Sequence, residues 1–206
     1  WSIEKELMKI TTALNLLESL YGVTGDRLKL YNIASSLIER LGRGIIYEVG
    51  FMARAKEEAH VKLLIANNNS CTQAHFLEIS RSLSDEIDDI LSRQDISPLI
   101  ELMITSECTA QISVSVYADR QRYAIEFKPP YDPWKRDEFD FLWSQVRDFL
   151  KLGTNIEWLN ISVAESQPKG EGINITSRLH HIKLFSKDSS NLGIKVYRDF
   201  RVSSAY

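Results

Sequence analysis

Residues 123–128 read Tyr-Ala-Ile-Glu-Phe-Lys, and two of them could do chemistry together. Glu126 and Lys128 alternate with the apolar residues Ile125 and Phe127, which is the pattern of a strand with two different faces. On such a strand the carboxylate and the ammonium group project to the same side. A carboxylate that holds a divalent cation and a lysine that orients water can hydrolyse a phosphodiester, provided that a second carboxylate reaches the same cation.

The elements expected around this strand follow the order helix, strand, strand, strand with Glu-x-Lys, helix and strand. Between residues 82 and 163 this order resembles the core of the PD-(D/E)xK nuclease superfamily. The resemblance implies a magnesium-dependent nuclease in which Lys128 orients water. Its metal ligands would be three carboxylates: Glu86, Glu107 and Glu126. The sequence departs from the family pattern at Gln111, which stands where the family has a metal-binding aspartate, and an amide oxygen is a weaker ligand for Mg²⁺ than a carboxylate.

The same residues also fit a strand that faces solvent, on which Glu126 and Lys128 form an ordinary surface ion pair. Such a pair contributes about 0–1 kcal/mol to stability. Other catalytic motifs lack their minimum residues, because the sequence contains no phosphate-binding or dinucleotide-binding glycine loop, no nucleophile elbow and no H-E-x-x-H. Cys71, Cys108 and the four histidines are not spaced as zinc ligands. We therefore expect no cofactor, except Mg²⁺ under the nuclease alternative.

The elements that must position these residues begin with two helices. Apolar residues at alternating spacings of four and three predict one helix over residues 3–21, and a second stripe predicts another over residues 26–41. Leu14 lies in the middle of the first stripe. A stripe of this kind packs either on the chain's own core or on a partner, and it makes Leu14 a candidate contact residue for self-association. The sequence thus predicts a helical segment, 1–44, ahead of an α+β unit, 45–206.

The remainder alternates between strand and helix patterns. Two stretches of alternating apolar residues each predict a hairpin, and each is followed by an amphipathic pattern that predicts a helix. The hairpins span 45–65, with a charged loop at 54–60, and 111–128; the helices span 73–93 and 137–152. Further strands are predicted at 156–163, 173–185 and 193–202. A helix over 45–52 is an alternative, and residues 99–106 fit either a helix or a strand.

These elements predict an α+β fold. An N-terminal helical pair packs on a mainly antiparallel sheet, which is assembled from two ββα units and the closing C-terminal strands.

Composition sets limits on the partners. The 206 residues are 44% hydrophobic and 26% charged, as in an ordinary folded domain. Lys and Arg number 25 against 28 Asp and Glu, which gives a net charge of −3 and makes nucleic acid an unlikely partner. No apolar run approaches the roughly 18–20 residues of a membrane span. We therefore expect a cytoplasmic or otherwise intracellular protein.

Aromatic residues supply the remaining functional signal. Residues 129–134 combine three prolines with Tyr131 and Trp134, which are suited to a rigid protein-contact loop. His180 and His181 could sense pH, line a pocket or form a plain surface pair. The preferred interpretation is a non-enzymatic regulatory or scaffolding domain that contacts a protein partner or forms a homodimer. The nuclease is the alternative, and a small-ligand sensor with a pocket between helix and sheet is the second alternative.

Overall fold

The computed structural model describes residues 3–21, 27–41, 44–54, 57–67, 71–117, 120–130, 142, 144–150, 173–186 and 191–204. Its helices are α1 (Ile3–Tyr21), α2 (Arg27–Leu41), α3 (Gln73–Ser80), α4 (Asp85–Ser92) and α5 (Ser97–Thr105), with a 3-10 turn, Arg81–Leu83, between α3 and α4. Its strands are β1 (Gly44–Arg54), β2 (Glu57–Asn67), β3 (Thr109–Val116), β4 (Gln121–Lys128), β5 (Ile173–Ser186) and β6 (Leu192–Ser204). Residues 144–150 are also helical.

The six strands form one antiparallel sheet in the order β1-β2-β3-β4-β5-β6. Each strand pairs with its neighbour in sequence, although three helices separate β2 from β3 and residues 129–172 separate β4 from β5. Hairpin β1–β2 is followed by α3 and α4, and hairpin β3–β4 is followed by the helical residues 144–150. This arrangement confirms the predicted α+β class with an N-terminal helical pair ahead of the sheet. None of the described helices is long and apolar enough to cross a membrane.

One face of the sheet, here called the apolar face, carries the hydrophobic core. Its side chains come from alternate positions of the inner strands and are almost completely buried: Leu63, Ile65, Ile112, Val114, Ile125, Phe127, Ile182 and Leu184. They form one cluster with buried residues of the helices, among them Leu30, Phe76, Ile87 and Leu99. Leu14 belongs to this cluster and is 3% exposed. The stripe of α1 therefore packs within its own chain, and Leu14 is not accessible to a partner in this state.

The helical pair also protects the edge of the sheet. β1 is an outer strand, and outer strands carry backbone groups that can pair with other chains. Buried Glu6 of α1 accepts a hydrogen bond from the Ile46 amide at 2.8 Å, and Lys9 donates to the Ile46 carbonyl at 3.0 Å. Two side chains of α1 thus occupy both backbone groups of one β1 residue.

The helix predicted over residues 73–93 is interrupted, so the prediction of one continuous helix was wrong. Ser84 adopts an extended conformation with φ −162°, and its hydroxyl accepts a hydrogen bond from the Ile87 amide. Serine is a preferred N-cap, and Asp85 and Glu86 add negative charge in the first turn, where the helix dipole favours it. These residues begin a new helix instead of continuing the old one.

Three other differences concern the ends of elements. Strands β1 and β2 pair as far as Arg54 and Glu57, so residues 57–60 belong to β2 and not to a charged loop. Among the described residues, β2 pairs with β3 only from Val61 onward, so residues 57–60 pair with β1 alone. Such a two-stranded segment lies outside the main sheet and does not need alternating apolar residues. Residues 45–52 are extended and residues 99–105 are helical, which settles both alternatives. The strand predicted over 156–163 lies outside the described residues.

Candidate functional site

The opposite side of the sheet, here called the polar face, carries Glu126 near its centre. Glu126 lies on β4, opposite Gln111 of β3 and Lys183 of β5 in the strand register. Its side chain is only 4% exposed. The expectation of a solvent-facing ion pair was therefore wrong. Alternation along a strand tells which residues share a face, but it does not tell whether other parts of the chain cover that face.

Two lysines from other strands reach Glu126. The Nζ atoms of Lys62 on β2 and Lys183 on β5 lie 2.9 and 3.2 Å from Glu126 Oε1. Lys183 also donates a hydrogen bond to Ser113 Oγ at 3.1 Å. Ser113 on β3 and Ala124 on β4 lie on the two strands between β2 and β5. Their side chains are small, so the long lysine side chains have room to extend across this face of the sheet.

His181 completes the cluster. Its Nε2 atom lies 3.9 Å from Glu126 Oε2, and its ring stacks on Tyr197 of β6 with a centroid distance of 3.9 Å. Burial lowers the pKa of His181 to about 4, although the nearby carboxylate acts in the opposite direction. The imidazole is therefore neutral at pH 7 and adds no charge to the cluster.

The charges of this cluster do not balance. Burial opposes ionisation of Glu126, but Lys183 and Lys62 outweigh it and hold the pKa of Glu126 below its ordinary value. Burial and the nearby Lys62 lower the pKa of Lys183, while Glu126 favours its charged form. With both lysines protonated, two positive charges face one negative charge. The lysine side chains are 19% and 17% exposed, so the extra positive charge is largely removed from water.

The residues of the nuclease hypothesis lie apart. Glu86 on α4 accepts a hydrogen bond from the Tyr123 amide at 2.6 Å, so it ties the helix to β4. Glu107 is exposed in the turn after α5, where its φ is +57°. Glu126 faces the other side of the sheet from the helices. Within the described part of the chain no three His, Cys, Asp or Glu residues are grouped to hold a metal ion.

The other predicted contact residues have separate places. Lys128 lies with its Nζ atom 5.4 Å from the centre of the Tyr47 ring, and the described lysine contacts of Glu126 come from Lys62 and Lys183 instead. Tyr131 and Trp134, predicted as a protein-contact loop, lie outside the described residues. Of that loop the structure describes Pro129, which is buried, and Pro130, which is exposed.

Sequence reasoning missed Lys62, Lys183 and Ser113, although a signal was present. Lys62 and Lys183 each stand between two apolar residues of a strand, as Glu126 does. A lysine placed between buried apolar neighbours on an inner strand must face the second side of the sheet. Two such lysines together with one such glutamate could have indicated a charged cluster there before the pairing was known.

Comparison with protein-family models, with curated proteins and with solved structures finds no match for this chain.

Proposed function

We propose that this chain is a regulatory domain that binds an anionic ligand, through a carboxylate or phosphate group, at the cluster of Lys62, Glu126 and Lys183. The observation that carries the proposal is that two largely buried lysine Nζ atoms lie 2.9 and 3.2 Å from one carboxylate oxygen of Glu126. A charge removed from water is costly unless a partner compensates it. An anionic group placed between the two lysines would supply that compensation.

The surroundings of the cluster support binding of a small polar group. Lys62, Lys183 and His181 each keep between 16% and 19% of their side chains exposed, so a ligand can reach them from solvent. Each lysine ammonium carries three hydrogens, and its contact with Glu126 Oε1 at 2.9 or 3.2 Å uses only part of them. Ammonium hydrogens therefore remain for a better placed acceptor, and the Ser113 hydroxyl lies beside them.

The same geometry argues for binding over catalysis. A lysine next to a serine can act as the base that activates a nucleophile. Here the Lys183 ammonium donates a hydrogen bond to Ser113 Oγ, and Glu126 Oε1 lies 3.2 Å from the same nitrogen, which is an arrangement for donating hydrogen bonds. Ser113 is 1% exposed, so a substrate carbonyl has little access to its hydroxyl. In this proposal, ligand binding would change the contact with a protein partner, which is the kind of contact that the sequence predicts.

The proposal is tested by thermal unfolding with acetate, inorganic phosphate and pyrophosphate, each compared with sodium chloride at equal ionic strength. A ligand that binds only the folded state adds RT ln(1 + [L]/Kd), or about 2.7 kcal/mol at a hundredfold excess over Kd. We expect at least one anion to raise the melting temperature.

Variants Lys62→Met and Lys183→Met are each compared with their own ligand-free baseline, so a change in basal stability does not affect the result. Both should lose the anion-dependent increase. Lys5→Met, on the exposed side of α1, is the matched control and should retain it. Equal responses to all salts, or an unchanged response in both cluster variants, would refute the proposal.

A further inference from the structure

Beyond the buried cluster, one half of the polar face combines cations with aromatic rings. This half, here called the cationic rim, lies where β4 and β6 begin and β3 and β5 end. Its described side chains at positions that share the parity of Glu126 in the strand register are His60, Lys62, Arg122, Lys183, Phe185 and Lys195, and Tyr117 and Arg120 lie just beyond the paired ends of β3 and β4.

The rings and cations of the rim lie against one another. The Arg120 guanidinium lies 4.6 Å from the centre of the Tyr117 ring, and the Tyr117 and His60 rings are 4.4 Å apart. Lys195 Nζ lies 5.3 Å from the centre of the Phe185 ring. A Cβ atom at Gly193 would collide with that ring. The Phe185 ring therefore lies over the backbone of β6, and glycine leaves the space it needs.

The charge of the rim is opposite to that of the whole chain. Its described residues include five lysines and arginines, of which Lys62 and Lys183 pair with Glu126, and the described Glu48 is an exposed acid on the neighbouring strand β1. The chain as a whole has a net charge of −3. Positive charge is thus gathered at one place, which the average composition of the chain does not show.

The rim is wider than one anionic group. Its cations extend from β2 to β6, and four intervals of about 4.8 Å between strands give a width of roughly 19 Å. Arg122 and Lys195 are exposed at this side of the sheet. A single carboxylate or phosphate cannot contact cations at both limits of that width, whereas a chain of phosphates can.

We infer that the ligand of this face is a single-stranded nucleic acid, an inference that rests on the proposed function. Its phosphates would contact the rim cations, with one of them between Lys62 and Lys183. Its bases would stack on the aromatic side chains, as bases do on exposed sheet surfaces of other proteins. An acidic peptide would satisfy the cations, but it has no flat ring to add to the contacts of Tyr117 with His60 and of Phe185 with Lys195.

The test is fluorescence anisotropy of labelled ten-nucleotide RNA and DNA oligomers of mixed pyrimidine sequence, with an unlabelled duplex and anionic lipid vesicles as competitors. For about four phosphate contacts, the affinity should fall roughly 50-fold between 50 and 200 mM salt. The double variant Arg122→Gln with Lys195→Gln should weaken binding at least tenfold and reduce the salt dependence. Lys5→Gln should change neither.

Each outcome distinguishes the two proposals. If small anions stabilise the protein through Lys183 but no oligomer binds, the nucleic acid inference is overturned and the proposed function stands. If vesicles or duplex compete more strongly than unlabelled single strands, the inference is also overturned. If neither anions nor oligomers bind, both proposals fail. If an oligomer binds and the double variant binds it equally well, the nucleic acid lies elsewhere on the protein and the inference is also overturned.

Discussion

Replacing Glu126 with glutamine removes the only negative charge that the described structure places between Lys62 and Lys183. The glutamine side chain keeps the shape of the glutamate, while two largely buried ammonium groups lose their counterion. Removing one partner of a buried ion pair costs about 3–5 kcal/mol, because an uncompensated charge is left behind. The lysine side chains are 19% and 17% exposed and can move partly into water, which recovers some of this cost. We therefore expect Glu126→Gln to lower the free energy of unfolding by about 2–4 kcal/mol.

The assay is urea unfolding at pH 7, followed by circular dichroism and by tryptophan fluorescence. Glu48→Gln is the matched control, because Glu48 is an exposed glutamate on the neighbouring part of the sheet. It should change stability by no more than about 0.5 kcal/mol, as surface substitutions do. A loss below about 1 kcal/mol for Glu126→Gln is the value expected of a surface ion pair and would refute the buried cluster.

The pH dependence of this loss has a definite sign. The pKa of Glu126 is lowered in the folded state, so its charged form stabilises the fold above the ordinary glutamate pKa. That contribution disappears as the pH falls below about 4.3 and through the lowered pKa of the folded state. The difference between Glu126→Gln and the parent protein should therefore be largest near neutral pH and shrink in acid. A difference that grows toward acid pH would contradict the assignment.

Three further predictions concern other parts of the fold. Because burial lowers the pKa of His181 to about 4, the free energy of unfolding of the parent protein should fall by up to about 3 kcal/mol as the pH falls from 6.5 to 4. The His181→Phe variant should lose less stability over the same pH range. Gly193→Ala should destabilise the sheet by about 1–3 kcal/mol in thermal unfolding, and the second change Phe185→Leu should recover most of the loss; no recovery would show that the ring is not the obstacle. In urea unfolding, Leu14→Ala should lower the free energy of unfolding by about 2–5 kcal/mol, and Leu16→Ala, at an exposed position of α1, should lower it by under about 0.5 kcal/mol. Equal effects of the two changes would contradict the packing of α1.

Sequence patterns predicted the fold class because the period of apolar residues changes clearly between helices and strands. The stripe of α1 and the alternation in β3 and β4 were sufficient for this. The break at Ser84 was missed because a capping serine inside an amphipathic pattern leaves the apolar spacing almost unchanged. The extension of β2 through residues 57–60 was missed because paired strands outside the core need no alternation.

The site was harder to predict than the fold, since it depends on which strands become neighbours. Glu126 was selected for its spacing to Lys128 on the same strand. Its described partners, Lys62 and Lys183, come from distant parts of the sequence, and only the sheet order brings them together. Glu86 is also separated from Glu126, because α4 packs on the apolar face and Glu126 lies on the polar face. No local sequence pattern shows on which face a helix packs.

The most direct test of anion recognition follows the protonation of Lys183 by NMR of its side-chain carbon adjacent to Nζ, with and without pyrophosphate. Burial lowers the pKa of Lys183 in the free protein, and an adjacent anion favours the protonated form. The pKa of Lys183 should therefore rise toward its ordinary value when pyrophosphate is added, while the side-chain signal of the exposed Lys5 at a fixed pH stays where it is. A Lys183 titration that neither pyrophosphate nor the oligonucleotide changes would contradict anion binding at this cluster.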